Sequence, residues 1–363
     1  MSTLALRFVG TIGDLSAADR AALRDRGTSS DQAVRDATAA ILAQVRLGGD
    51  AALHALAAQF DGATLTQLEV PRDQWTCALA SLEPALRAAL VRAAVNIRTV
   101  HEAFRPAEVI VEPEPGIRVG RRPDPLGRVG VYAPGGRAVY PSSVLMGAIP
   151  AKVAGVGDVV LCTPPDASGQ PTPVVLAAAA LAGVDRVFAV GGAGAIAAMA
   201  YGTNSVPRVD RIVGPGNAWV AEAKLQVSGV VAIDSPAGPS ELLVIVDSSA
   251  DLDLVAREML AQAEHDPAAA VLAIALDDIG PALAARLRAA VAQEPRAAII
   301  LEALANRGGI LAAASIAEAI AFANEWAAEH LLVATRTPGA ILPAVRNAGA
   351  VFVGTSSSVA FGD

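Results

Sequence analysis

The chain has 363 residues, 53% of them hydrophobic but only 4% aromatic, and a net charge of −8. That length allows two or more domains with cores of their own. No run of Lys or Arg forms a basic stripe, and no apolar run approaches the roughly 20 residues that span a bilayer, so neither nucleic acid nor membrane is expected as a partner. The first residues lack a charged segment followed by an apolar core, so no secretory signal is read there. Cys77 and Cys162 make neither a disulfide framework nor a zinc motif. Both are expected to be buried or partly buried thiols in a cytoplasmic protein.

Residues 15–105 read as mostly helical. Segments 30–47 and 82–104 carry apolar residues at helical spacing, punctuated by Gly48-Gly49-Asp50 and Asp61-Gly62. His54 and His101 fall inside these helical patterns and are expected to be structural or surface residues. From about residue 110, short apolar runs alternate with helical stretches: 129–132, 144–154, 159–162, 173–182, 187–190, 196–201, 218–226, 230–233 and 242–246. After Asp253 a second such series passes through 271–275, 299–301, 310–311, 331–333 and 351–353. This alternation predicts parallel βαβ units, and hence an α/β protein with two units and parallel-rich sheets behind an N-terminal helical region.

Three glycine loops follow predicted strands and precede predicted helices: Ala133-Pro134-Gly135-Gly136-Arg137, Gly191-Gly192-Ala193-Gly194 and Gly214-Pro215-Gly216-Asn217. Glycine admits close approach of a backbone to a ligand, and helix N-termini present free N–H groups to anions. The three loops could line one crevice at the carboxyl ends of the strands, suited to a pyrophosphate, or serve only as tight turns. The pattern Gly192-x-Gly194-x-x-Ala197 matches a dinucleotide fingerprint, with Asp210 somewhat nearer than usual. The stretch Ser235-Pro236-Ala237-Gly238-Pro239-Ser240-Glu241 reads first as a rigid connector between domains. Ser240 and Glu241 are its candidates for touching substrate.

Only four histidines occur in the chain, and two of them sit in acid-flanked clusters. In Gln262-Ala263-Glu264-His265-Asp266 a helix over 252–265 would put Gln262 and His265 on one face, an oxygen donor beside an imidazole. Glu329-His330 adds two groups able to carry protons near neutral pH. A solvated helix end remains the competing account of the first cluster.

Longer motifs carry a resemblance. The sequences 127–136 (GRVGVYAPGG), 146–155 (MGAIPAKVAG), 213–217 (VGPGN), 237–241 (AGPSE), 262–266 (QAEHD), Glu329-His330 and Gly362-Asp363 are similar, in the same order, to those of the histidinol dehydrogenase family. The resemblance implies a zinc-dependent enzyme that oxidises L-histidinol to L-histidine with two NAD molecules, at the end of histidine biosynthesis. It implies zinc ligation by Gln262, His265 and Asp363, and catalysis by Glu329 and His330. Ser240, His330 and Asp363 would contact substrate, and Tyr132, Gly194 and Asn217 would line the NAD site. The implied fold is two incomplete Rossmann-like domains: 28–130 plus 240–363 for metal and catalysis, 131–239 inserted for NAD, and 1–27 as an N-terminal extension. A full-length relative would be a homodimer.

Two departures qualify these expectations. Gly194 stands where the family has glutamine, removing a polar contact to NAD. The sequence stops at Asp363, where the family continues into a segment, exchanged between subunits, that carries a glutamate and the last zinc-ligating histidine. Weak zinc binding and slow turnover of the 363-residue chain are expected on that basis. Two other readings stay open: oxidation of a different small amino- or sulfo-alcohol, and a catalytically silent NAD-binding protein.

Overall fold

The computed structural model describes residues 4–25, 32–135, 139–235 and 238–362. In chain order its strands are β1 (Phe8–Thr11), β2 (Val109–Glu114), β3 (Ile117–Arg121), β4 (Arg128–Tyr132), β5 (Asp158–Thr163), β6 (Arg186–Ala189), β7 (Arg211–Val213), β8 (Ala232–Ile233), β9 (Glu241–Val246), β10 (Ala270–Ala275), β11 (Gly308–Ala312), β12 (His330–Ala334) and β13 (Ala350–Val353). Contacts divide the chain into two units, Thr28–Ala237 and Met1–Gly27 with Gly238–Asp363.

The unit Thr28–Ala237 is built on a parallel sheet of order β6-β5-β4-β7-β8, with β2 and β3 as a separate antiparallel hairpin. Counted from β4, the order is 3-2-1-4-5, that of a Rossmann sheet without its sixth strand. Alternate residues of β5 feed opposite cores. Val160 and Cys162 join Leu42, Val45, Leu53 and Leu56 of helix Gln32–Leu56 and Ile196 of helix Gly192–Tyr201. Val159 and Leu161 join Trp75, Leu90, Val144 and Ile149 on the other face. Burial of each such side chain contributes about 1.5–3 kcal/mol.

These packings correct the expected boundary. Residues 32–104 cover both faces of the sheet whose strands follow them in sequence, so 28–130 groups with 131–237 rather than with 240–363. Helix Gln32–Leu56 runs past Gly48, and the predicted break appears as a kink at Gly49 (φ 53°, ψ −134°).

In the other unit the parallel order is β1-β11-β10-β9-β12-β13. Counted from β9 this is again 3-2-1-4-5, extended by β1 at one edge. The N-terminal residues are thus not only a helical extension, because β1 pairs with β11 from Phe8↔Gly309 to Thr11↔Ala312. The six residues of β10 are all buried, as expected for a parallel sheet covered on both faces. Residues 299–301, read from sequence as a strand-like run, lie in helix Ala297–Arg307. Its buried Ile300, Ala303 and Leu304 have helical spacing, and the adjacent isoleucines mimic a strand only over three residues. Cys162 is buried as expected, but Cys77 is exposed.

Candidate active site

In the unit containing residues 238–363, all the described candidates gather at the amino-terminal edge of the sheet. His330 is the first residue of β12 and Glu241 the first of β9, with Glu329 and Ser240 immediately before them. Gln262 lies in the last turn of helix Leu252–Ala263, which descends to the start of β10, and His265 follows just beyond the helix. Asp251 caps the far end of that helix by accepting from the N–H groups of Asp253 and Leu254. His265 therefore leaves the helix instead of completing its face with Gln262.

The backbones of β9 and β12 are tied at this edge by a reciprocal pair. The Glu241 N–H donates to Oε2 of Glu329, and the Glu329 N–H donates to Oε2 of Glu241, each at 3.2 Å. His330 Nδ1 lies 3.1 Å from the Glu241 carbonyl oxygen. A carbonyl only accepts, so Nδ1 carries the proton and Nε2 keeps its lone pair. The same Nδ1 lies 3.6 Å from Oε2 of Glu329, a carboxylate placed to offset charge gained by the ring. The ring also packs against Phe352, centroid to centroid 5.9 Å. Glu329 is largely exposed and His330 mostly buried.

Among the described residues no three His, Cys, Asp or Glu side chains form a group able to hold a metal ion. The donor chemistry nevertheless suits zinc in part. Gln262 is 5% exposed as a residue, and its carboxamide makes no hydrogen bond to a described residue, which leaves its oxygen available to a metal ion. His265 adds an exposed imidazole at the same edge. Asp363, the third expected ligand and a substrate contact, lies outside the described residues. Its neighbour Gly362 sits against the ring of Phe352, where an added Cβ would come within 2.8 Å. Val359 N–H donates to Glu258 on the helix that carries Gln262, at 2.9 Å.

In the unit Thr28–Ala237 the glycine loops follow the carboxyl ends of β4, β6 and β7; the first and third flank the topological switch point of that sheet, between β4 and β7. They border a cavity of about 670 Å³ lined by Tyr132, Gly135, Gly191–Gly194, Asn217 and Trp219, with Leu56, Phe60 and Asp61 among the remaining walls. Gly136 and Arg137 of the first loop lie outside the described residues. The Gly192 N–H donates to the Tyr132 hydroxyl at 3.1 Å. Burial, with Asp61 adding to it, pushes that phenol up to about 12, so it stays protonated. Gly194 is buried in helix Gly192–Tyr201, and an added Cβ would stand 3.1 Å from Cδ1 of Leu56. Asn217 uses its side-chain oxygen to cap helix Ala218–Val227, accepting from Trp219 and Val220 N–H groups. Its amide nitrogen makes no hydrogen bond to a described residue.

The dinucleotide fingerprint fails on geometry. Asp210 precedes β7 at the amino-terminal edge and accepts from Arg128 N–H at 2.8 Å, away from the glycine loops. Sequence reasoning also missed the support of the third loop. Gly214 has φ +121°, and an added Cβ would lie 2.1 Å from the Tyr132 carbonyl, so only glycine fits. Asp234 accepts from Gly214 N–H at 2.8 Å, while Lys224, 2% exposed, donates to the Gly214 carbonyl at 3.1 Å and pairs with Asp234. Lys224, the one basic residue in the run 218–227, was the available signal. Asp61 had been read only as punctuation.

A family model described as histidinol dehydrogenase matches residues 24–363. Histidinol dehydrogenase from Methanosarcina barkeri is 44% identical over 354 residues, covering 97% of this chain and 81% of the relative. That of Bordetella parapertussis is 48% identical over 341 residues, covering 92% and 76%. The crystal structure of histidinol dehydrogenase from Elizabethkingia anophelis superposes with a TM-score of 0.93 at 34% identity, covering 100% of this chain and 83% of that one. With the motifs in family order and both sheets in place, the chain belongs to the histidinol dehydrogenase family.

Proposed function

We propose that the chain is a zinc-dependent, NAD-linked histidinol dehydrogenase that oxidises L-histidinol to L-histidine through the aldehyde, in the cytoplasm and as a homodimer. In this reading Gly238–Asp363 carries metal and catalysis, and Thr28–Ala237 holds NAD. The observation that supports it best is the His330–Glu241 hydrogen bond, which places the proton on Nδ1, 3.6 Å from the Glu329 carboxylate, and leaves Nε2 as the accepting nitrogen.

His330 Nε2 takes the substrate hydroxyl proton in the first oxidation, and Glu329 faces the positive charge that results. Glu329, largely exposed, takes a proton from the water that hydrates the aldehyde. His330 acts again on the hydrate. Ser240 touches the substrate beside them. Gln262, His265 and Asp363 are the residues that hold zinc, and Tyr132, Gly194 and Asn217 border the cofactor. When bound, zinc fixes the substrate's orientation and NAD accepts the hydride.

The test is NADH formation by the zinc-loaded chain with histidinol and with other amino-alcohols. Two NADH per histidinol supports the reading; turnover of another alcohol with none of histidinol overturns it.

A further inference from the structure

We propose that Asp61 sets the cofactor preference of this site, by binding the ribose diol of NAD's adenosine and excluding the 2′-phosphate of NADP. This rests on the reading of the glycine-loop cavity as the cofactor site. Asp61 ends the short π-turn Ala57–Asp61 and lines that cavity, next to Phe60. Its carboxylate is half-buried, yet it makes no hydrogen bond or ion pair with a described residue. Acceptors left without partners in a ligand cavity are available to a donor that the ligand brings, and a vicinal diol brings two.

The surroundings place adenosine at this end. Helix Gln32–Leu56 gives the cavity an apolar wall through Ile41, Leu53 and Leu56, and Phe60 is 63% exposed, an aromatic face open to a flat base. The glycine loops, with the N-terminus of helix Gly192–Tyr201, supply N–H groups to a pyrophosphate. A base on the apolar wall and a pyrophosphate at the loops leave the intervening ribose beside Asp61.

No Lys, Arg or His occurs among the described residues lining the cavity. A 2′-phosphate would therefore meet a carboxylate with no cation among them to offset it, and like-charge juxtaposition of this kind discriminates strongly. Asp61 is neither a base nor a nucleophile here. Its role is specificity.

Equilibrium titration of the full chain with NAD, NADP and 2′-deoxyadenosine NAD, by calorimetry, tests this without turnover. The wild type is expected to prefer NAD over NADP by at least about a hundredfold, and Asp61→Asn to narrow that ratio about tenfold or more. Removing the 2′-hydroxyl of the adenosine is expected to weaken binding to the wild type but not to Asp61→Asn. Asp61→Ser serves as a second neutral variant, and thermal melts establish that both fold. NAD binding with the same NAD-to-NADP ratio in folded neutral variants overturns the role of Asp61 alone. A wild type that binds neither dinucleotide overturns the cofactor reading and the inference with it.

Discussion

The imidazole of His330 is held by a backbone carbonyl, that of Glu241, at 3.1 Å, and not by a buried carboxylate. The carbonyl selects the tautomer, and the register His330↔Leu242 between β12 and β9 fixes the distance. His330→Asn is expected to lower kcat by about 10²–10⁴, the usual contribution of a positioned general base, with the melting temperature little changed. Steady-state NADH formation with histidinol, beside a thermal melt, measures both. Retention of most of the activity would remove His330 from the proton-transfer role.

Gln262 gives a prediction of opposite sign for stability and metal binding. Its side chain is largely buried and its carboxamide makes no hydrogen bond to a described residue, so Gln262→Leu, which breaks no such bond, is expected to be neutral or stabilising by up to about 1 kcal/mol in the metal-free chain. The same change is expected to weaken zinc binding by about tenfold or more, since an oxygen donor is gone. Urea melts in chelator and competitive zinc titration separate the two effects. Unchanged zinc affinity would exclude Gln262 as a ligand.

Lys224 supports the glycine-loop cavity through the Gly214 carbonyl. Lys224→Met is expected to cost about 2–4 kcal/mol, because it leaves Asp234 unpaired and the Gly214 carbonyl without its donor. Urea denaturation reads the loss. In the folded variant, a raised KM for NAD with the KM for histidinol unchanged would mark displacement of the loop Gly214–Asn217.

Ala327 ends helix Ile316–Trp326 in the left-handed region, at φ 53° and ψ 58°. The turn directs the chain into Glu329 and His330. A Cβ there is strained, whereas glycine adopts this conformation freely. Ala327→Gly is expected to stabilise by about 0.5–1 kcal/mol after the added unfolded-state entropy is offset. Destabilisation on urea melting would show that the methyl group packs usefully.

Burial raises the Asp61 carboxyl to about 6, against about 3.9 in an unfolded chain. The folded state therefore holds this proton more tightly. The stabilisation is fully present below about pH 4 and is lost as pH rises through 6. Asp61→Asn is expected to exceed the wild type in stability at pH 7.5, with the difference shrinking as the pH falls toward 4. Urea midpoints across that range measure it. A pH-independent difference would mean that the ionised carboxylate is not the source of the destabilisation.

How much of this could be read along the chain depended on the range of the interaction. Strands such as 159–162 and 271–275 were legible because burial on both faces demands unbroken apolar runs. Ile299–Leu301 misled, because three residues do not distinguish a period of 2 from one of 3.6. The partition of residues 28–130 was not legible either: apolar faces reveal that a helix packs, not which sheet it packs on. Glu329 and His330 were visible as residue types. Their anchor at Glu241 was not, since a backbone carbonyl 89 positions away has no residue signature.

Local chemistry was thus determined by the sequence alone: apolar periodicity for the two α/β units, glycine where a loop turns sharply, and the motifs that carry family membership. Tertiary structure decided the rest. It gathered the described catalytic and metal candidates at the amino-terminal edge of one sheet and the glycine loops at the carboxyl-terminal edge of the other. It chose the tautomer of His330 and left Asp61 in a cavity without a hydrogen-bond partner among the described residues. Each of these depends on strand register and helix docking between residues distant in sequence, where the free energy lies in the fit between surfaces that a linear pattern does not encode.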